Sequence, residues 1–118
     1  MTVTGPDFIA LQVRDLQASA AFYTERLGLT PAPGGPPHGV VFETEPIAFA
    51  VREPIVDLDA TDRLGWGMVL WLKAEDPDAI HADLVAHDVP IVTAPFDGPF
   101  GRTFSFTDPD GYTVTLHG

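Results

Sequence analysis

The chain has four histidines and no cysteine, so acid–base or metal chemistry must come from imidazole, carboxylate and hydroxyl groups. His81 and His87 lie six residues apart in a helical stretch. That is not the three- or four-residue spacing that puts two side chains on one face, and both read as solvent-facing. His38 sits in a Pro/Gly loop and reads as structural or exposed. Glu43 and Glu45 flank a turn and read as exposed. His117 differs, because it shares strand parity with Thr113 and Thr115. Paired with Ser105 or Thr115, it is the one combination suited to proton transfer. No Ser/His/Asp or Cys/His set is discernible, and no glycine-rich phosphate loop follows a strand. No catalytic residue is assigned. The remaining chemistry is stacking. Trp66 and Trp71 are five apart, so on a strand they face opposite ways, and Trp71 shares parity with Val69. An indole face suits a planar guest, and a cation above it gains ~0.5–2 kcal/mol.

The element that must position His117 runs from Arg102 to His117 and reads as two strands joined by one turn. Phe104 and Phe106 alternate with Thr103, Ser105 and Thr107; Tyr112, Val114 and Leu116 alternate with Thr113, Thr115 and His117. Between them, Asp108-Pro109-Asp110-Gly111 is turn chemistry: a preset φ, side-chain acceptors for nearby N–H groups, and a residue that tolerates positive φ. The face opposite the aromatics is mildly polar and uncharged, which suits the lining of a cavity.

Earlier in the chain, Asp7–Val13 alternates as a strand. Asp15 is placed to cap a helix whose apolar stripe is Leu16, Ala20, Tyr23 and Leu27, with Gly28 ending it. Leu29–Pro37 allows at most a short edge strand before a loop. Strands are expected at Gly39–Glu43 and Ile47–Arg52, with a turn at Thr44-Glu45-Pro46. Glu53–Gly65 reads as a linker. The plan then repeats: a buried strand over Trp66–Lys73, a helix capped by Asp76 with Pro77 at its first position, a short strand at Pro90–Thr93, a loop over Ala94–Gly101, and the hairpin. Ile80 and Leu84 should face inward on that helix, which ends near His87. Asp15 and Asp76 lie about half the chain apart, so the order of elements marks an internal duplication.

With 118 residues, one domain is expected, in two modules of about 5–53 and 66–118 around a linker of about 54–65. The expected class is α+β. Hydrophobic residues make up 45% of the chain, enough to build a core. Six basic against 17 acidic residues give a net charge of −11, which opposes nucleic acid and anionic membrane surfaces and favours cationic or neutral partners. No apolar run approaches a membrane span, and the start, Met1 to Pro6, lacks the pattern of a secretory signal. The expected location is the cytoplasm.

Four motifs, taken in order, resemble the vicinal oxygen chelate superfamily of glyoxalases, extradiol dioxygenases, fosfomycin resistance enzymes and bleomycin-binding proteins. They are Phe8-Ile9-Ala10-Leu11-Gln12-Val13-Arg14-Asp15-Leu16; Ala21-Phe22-Tyr23 followed by Leu27-Gly28-Leu29; the strand before Asp76 with its helix; and Phe106-Thr107-Asp108-Pro109-Asp110-Gly111. The resemblance implies two βαβββ modules in tandem, whose curled mixed sheets surround a cleft with helices outside. Ile9, Leu11, Val13, Phe104, Phe106, Val114 and Leu116 would then pack under the helices. Phe8, Ala10, Gln12, Val69, Trp71, Arg102, Thr103, Ser105, Thr113, Thr115 and His117 would form the ligand-binding cleft. Arg102 has a structural salt bridge as its alternative role.

Metal-dependent members of that superfamily hold a divalent ion with His and Glu side chains on three strands. Those positions fall here at Phe8, at Val69 (Met68 or Leu70 within one residue) and at Thr115. A phenyl ring and an isopropyl group have no donor atom, and a neutral hydroxyl is a weak one. The expectation is therefore no metal and no cofactor. The run Phe100-Gly101-Arg102 before the turn resembles the acidic, metal-free bleomycin-binding proteins, which sequester a cationic drug as dimers. It implies a homodimer that sequesters a small planar or cationic ligand, such as an antibiotic. The alternative is a metal-dependent lyase or dioxygenase with atypical ligands, using a divalent metal.

Overall fold

In the computed structural model, residues 2–118 are described, so Met1 of the N-terminal reading lies outside the described residues. The chain divides into two compact units, one ending at Ala60 and the other spanning Thr61–Gly118. The second has the βαβββ order and the first the same order with one strand fewer, so the chain is an α+β protein with sheets of three and four strands, consistent with two tandem βαβββ modules.

In the first unit, alternation gives β1 (Phe8–Gln12). Asp15 then caps α1 (Leu16–Ala21), its carboxylate accepting from the Ala18 N–H at 3.1 Å. α1 runs on as a π-helical turn over Phe22–Arg26 and stops at Gly28, whose φ of +73° is the left-handed conformation that ends helices. β2 (Gly39–Phe42) and β3 (Ala48–Arg52) follow. The sheet order is β1-β3-β2, with β1 and β3 parallel and β2 and β3 antiparallel. The anticipated edge strand after the helix shrinks to a bridge between Pro31 and Phe42, because prolines interrupt the ladder. Helix-side residues build the core. Tyr23 is fully buried against Phe49 and Phe42, at ring distances of 5.1 and 6.1 Å. The helix stripe is displaced from expectation: Ser19 and Tyr23 are its buried members, while Leu16, Ala20 and Leu27 are half-buried. Part of the expected linker belongs to this unit, since Leu58 is buried in a 3-10 turn (Leu58–Ala60) and Arg14 binds both Asp59 and the Leu58 carbonyl.

The second unit contains β4 (Leu70–Lys73), α2 (Pro77–Ala86), β5 (Ile91–Gly98), β6 (Gly101–Thr107) and β7 (Thr113–His117). Its order, β4-β7-β6-β5 with β4 and β7 parallel, repeats the first sheet's plan. Asp76 caps α2 through the Ala79 N–H at 3.1 Å, and Leu84 is fully buried. Phe104, Phe106, Val114 and Leu116 form the helix-side core as the alternation requires.

Three expectations need correction here. The buried strand anticipated from Trp66 begins only at Leu70. Gly65 and Gly67 take φ of +74° and +87°, and the Met68 N–H bonds the Gly65 carbonyl, so Trp66–Val69 forms turns that leave Trp66 and Met68 exposed. The loop anticipated over Ala94–Gly101 is largely strand. β5 is an outer strand of the sheet, so Pro95 need not donate to a neighbour, and the pairing absorbs the proline through register shifts near Thr93 and Phe96. His81 is not a solvent histidine; it is half-buried with its ring edge-on to Phe104 at 5.2 Å.

Candidate functional site

The hairpin of β6 and β7 is fixed from its turn outward. One carboxylate oxygen of Asp108, a residue only 4% exposed, accepts from the N–H groups of Asp110, Gly111 and Tyr112 at 2.9, 3.0 and 2.9 Å. That sets the register Thr103↔His117, Ser105↔Thr115 and Thr107↔Thr113. Parallel pairing then places Trp71 beside Thr115 and Lys73 beside His117. One face of the sheet therefore carries Trp71, Thr115 and Ser105 in a row, with Lys73, His117 and Thr103 in the next.

The hydroxyls and the imidazole in these rows each have a partner. Ser105 Oγ and Thr115 Oγ1 share a 2.7 Å hydrogen bond, and Thr115 is buried. Thr103 is also buried, and its hydroxyl donates to the Gly101 carbonyl at 3.0 Å. His117 Nδ1 lies 3.0 Å from the Phe100 carbonyl oxygen. Trp71 stands edge-to-face between two rings, with Phe100 at 5.7 Å and His117 at 5.5 Å. Thr113 and Val69 are exposed at the margin. Phe100 falls outside the residues anticipated for the cleft. The signal for it lies in Gly98-Pro99-Phe100-Gly101, where Gly98 pairs with Gly101 and the two residues between form the tip of a hairpin.

Arg102 is not on this face. It has the parity of Phe104 and Phe106, and its guanidinium binds Asp78 of α2 at 3.1 Å and Asp97 of β5 at 3.3 Å. The hydrogen bond to Asp78, reinforced by the charges of Asp78 and Asp97, raises its pKa above the ordinary value. Arg102 thus ties the start of the helix to the sheet, the structural role set out as its alternative.

In the first unit, Phe8, Ala10 and Gln12 share the sheet face away from Tyr23, paired with Ala48, Ala50 and Arg52. Phe8 is 51% exposed. Gln12 is committed to the backbone, accepting from the Ile55 N–H at 2.8 Å. The other histidines make local contacts: His38 with Glu53 at 2.9 Å, and His87 with the Asp83 carbonyl at 2.8 Å.

None of the three positions that the resemblance marks for metal ligands carries a strong donor. Phe8 and Val69 offer no lone pair, and the Thr115 hydroxyl is engaged by Ser105. Among the described residues, no three His, Cys, Asp or Glu side chains are grouped to hold one.

A family model described as "Glyoxalase/Bleomycin resistance protein/Dioxygenase superfamily" matches residues 5–116. The chain is similar to lactoylglutathione lyase from Agrobacterium tumefaciens, at 20% identity and a TM-score of 0.69 over 98% of this chain and 94% of that one. It is similar to TnmS3, an antibiotic binding protein from Streptomyces sp. CB03234, at 22% identity and a TM-score of 0.71 over 99% and 97%. It is similar to FosX, a fosfomycin resistance protein from Listeria monocytogenes solved with Mn(II), at 18% identity and a TM-score of 0.72 over 99% and 93%. At these identities the likenesses establish the fold. A comparison with curated proteins finds no match.

Proposed function

We propose that this chain, which belongs to the Glyoxalase/Bleomycin resistance protein/Dioxygenase superfamily, binds a small planar or cationic molecule without a metal and acts by sequestering it. The observation that carries this reading is the chemistry at the three ligand positions, Phe8, Val69 and Thr115. Two have no donor atom, and the third spends its hydroxyl on Ser105. An ion held there would lack the ligands that fix its geometry, and the Lewis-acid step that depends on such an ion has no support.

The face around Trp71 supports binding. An exposed indole flanked by two rings presents apolar area at low entropic cost, and the adjacent hydroxyl row adds a few polar contacts, as ligand sites generally do. The net charge of −11 favours capture of cations. A neighbour of the same fold is an antibiotic binding protein. In this reading the protein works as a cytoplasmic homodimer.

The test is a thermal-shift and calorimetric screen of chelator-treated protein against bleomycin-type, mitomycin-type and planar peptide antibiotics. A guest that binds only the folded chain raises its stability by RT ln(1 + [L]/Kd), so binding appears as a Tm that climbs with ligand concentration. Sedimentation of the same sample should give a dimer. Ligand binding that disappears on chelation and returns with Ni, Mn, Fe or Zn would replace this reading with that of a metal-dependent enzyme.

A further inference from the structure

His117 is the last residue of β7, and its Nδ1 lies 3.0 Å from the Phe100 carbonyl oxygen. A carbonyl oxygen only accepts, so Nδ1 carries the proton. In the uncharged ring, Nε2 then holds an in-plane lone pair. The His117 ring makes no other hydrogen bond among the described residues, so that lone pair is unspent.

The ring's position is set by the backbone. Gly101 adopts φ +101°, and Arg102 and Gly118 exchange two backbone hydrogen bonds of 2.9 and 3.1 Å. Together these hold the Phe100 carbonyl beside the end of β7. Trp71 meets both rings edge-on, so His117 is gripped by its Nδ1–H and by its ring edge. An acceptor fixed next to an exposed indole is a recognition element: a planar guest lying on Trp71 would bring its substituents toward it. Lys73 is paired with His117 across the register and is exposed, which disfavours a cationic donor at that end of the face. A neutral hydroxyl is not penalised in this way.

We propose that His117 is a specificity-determining residue whose Nε2 accepts a hydrogen bond from a neutral aromatic hydroxyl on a planar ligand stacked on Trp71. This rests on the binding reading above and narrows its ligand class. Ser105 and Thr115 complement it: their mutual bond uses one of their two hydroxyl hydrogens and leaves the other for an acceptor on the same ligand.

The experiment compares 2-naphthol with 2-methoxynaphthalene, which has the same rings but no donor. Binding is followed by tryptophan fluorescence and calorimetry on the full chain. The wild type should prefer naphthol by about five- to tenfold, the value of one hydrogen bond. In His117→Phe, which keeps a ring beside Trp71, the preference should vanish while 2-methoxynaphthalene still binds. Nitrogen NMR of histidine-labelled wild type supplies a reading that needs no variant: naphthol should move the Nε2 resonance of His117, and 2-methoxynaphthalene should not. Equal affinity for both probes, or a preference that survives His117→Phe, would overturn the assignment and leave planar-ligand binding intact. Failure of both probes to bind would overturn the planar-ligand reading along with it.

Discussion

Ser19 is 1% exposed on the core side of α1, and its hydroxyl has no hydrogen-bond partner among the described residues. A buried polar atom left unpaired costs stability, and alanine is also the better helix former. Ser19→Ala is therefore expected to stabilise the fold by about 1 kcal/mol, seen as a higher denaturant midpoint at an unchanged slope. A lower midpoint would mean that the hydroxyl has a partner after all. Single residues were unevenly legible in the sequence. In the second unit the core was legible from parity together with the resemblance, because Phe104, Phe106, Val114 and Leu116 alternate with Thr, Ser or His along β6 and β7. Ser19 is not legible as a core residue, because the apolar stripe that the sequence offers is Leu16, Ala20, Tyr23 and Leu27. Arg102, expected in the cleft, has the parity of Phe104 and lies on the helix side, where Asp78 and Asp97 hold it.

Among the elements, the β5–β6 hairpin does most to shape the candidate face. Gly101 sits at φ +101°, and a Cβ there would lie 2.7 Å from the Gly118 carbonyl oxygen, so both conformation and space exclude a side chain. Gly101→Ala is expected to cost about 2 kcal/mol through backbone strain and a forced shift of the β7 end. It should also weaken the Phe100–His117 contact, which ring-proton NMR can follow. Wild-type stability in that variant would mean that the hairpin tip relaxes without disturbing β7. The caps at Asp15 and Asp76 and the Asp108 turn are legible because each rests on local chemistry, a side-chain acceptor, a proline φ or a glycine, whereas the third strand expected in the first unit is reduced to the Pro31–Phe42 bridge. The extent of β5 and the late start of β4 were not. In both cases a tertiary circumstance decided: an outer strand that can carry Pro95, and two glycines that turn the chain before Leu70.

For the whole molecule, the excess of acidic residues makes a prediction about rates. A cationic aromatic probe such as an acridinium should associate more slowly as salt is raised, whereas neutral 2-naphthol should be nearly indifferent, as stopped-flow fluorescence can determine. Identical salt dependence for the two would remove electrostatic capture from the account. The duplicated plan was visible in the sequence as a repeated order of elements, and the two sheets repeat one strand arrangement. A sequence pattern can duplicate a scaffold without duplicating its chemistry. In the proposed reading, the positions that answer to the superfamily's metal ligands hold a phenyl, an isopropyl and a hydroxyl group already bonded to Ser105. The most direct test is the metal content of protein purified without chelator from cells supplied with Ni, Mn, Fe and Zn. The account predicts trace, substoichiometric metal and a ligand affinity that chelation leaves unchanged; one firmly held ion per chain, lost together with ligand binding on chelation, would contradict it.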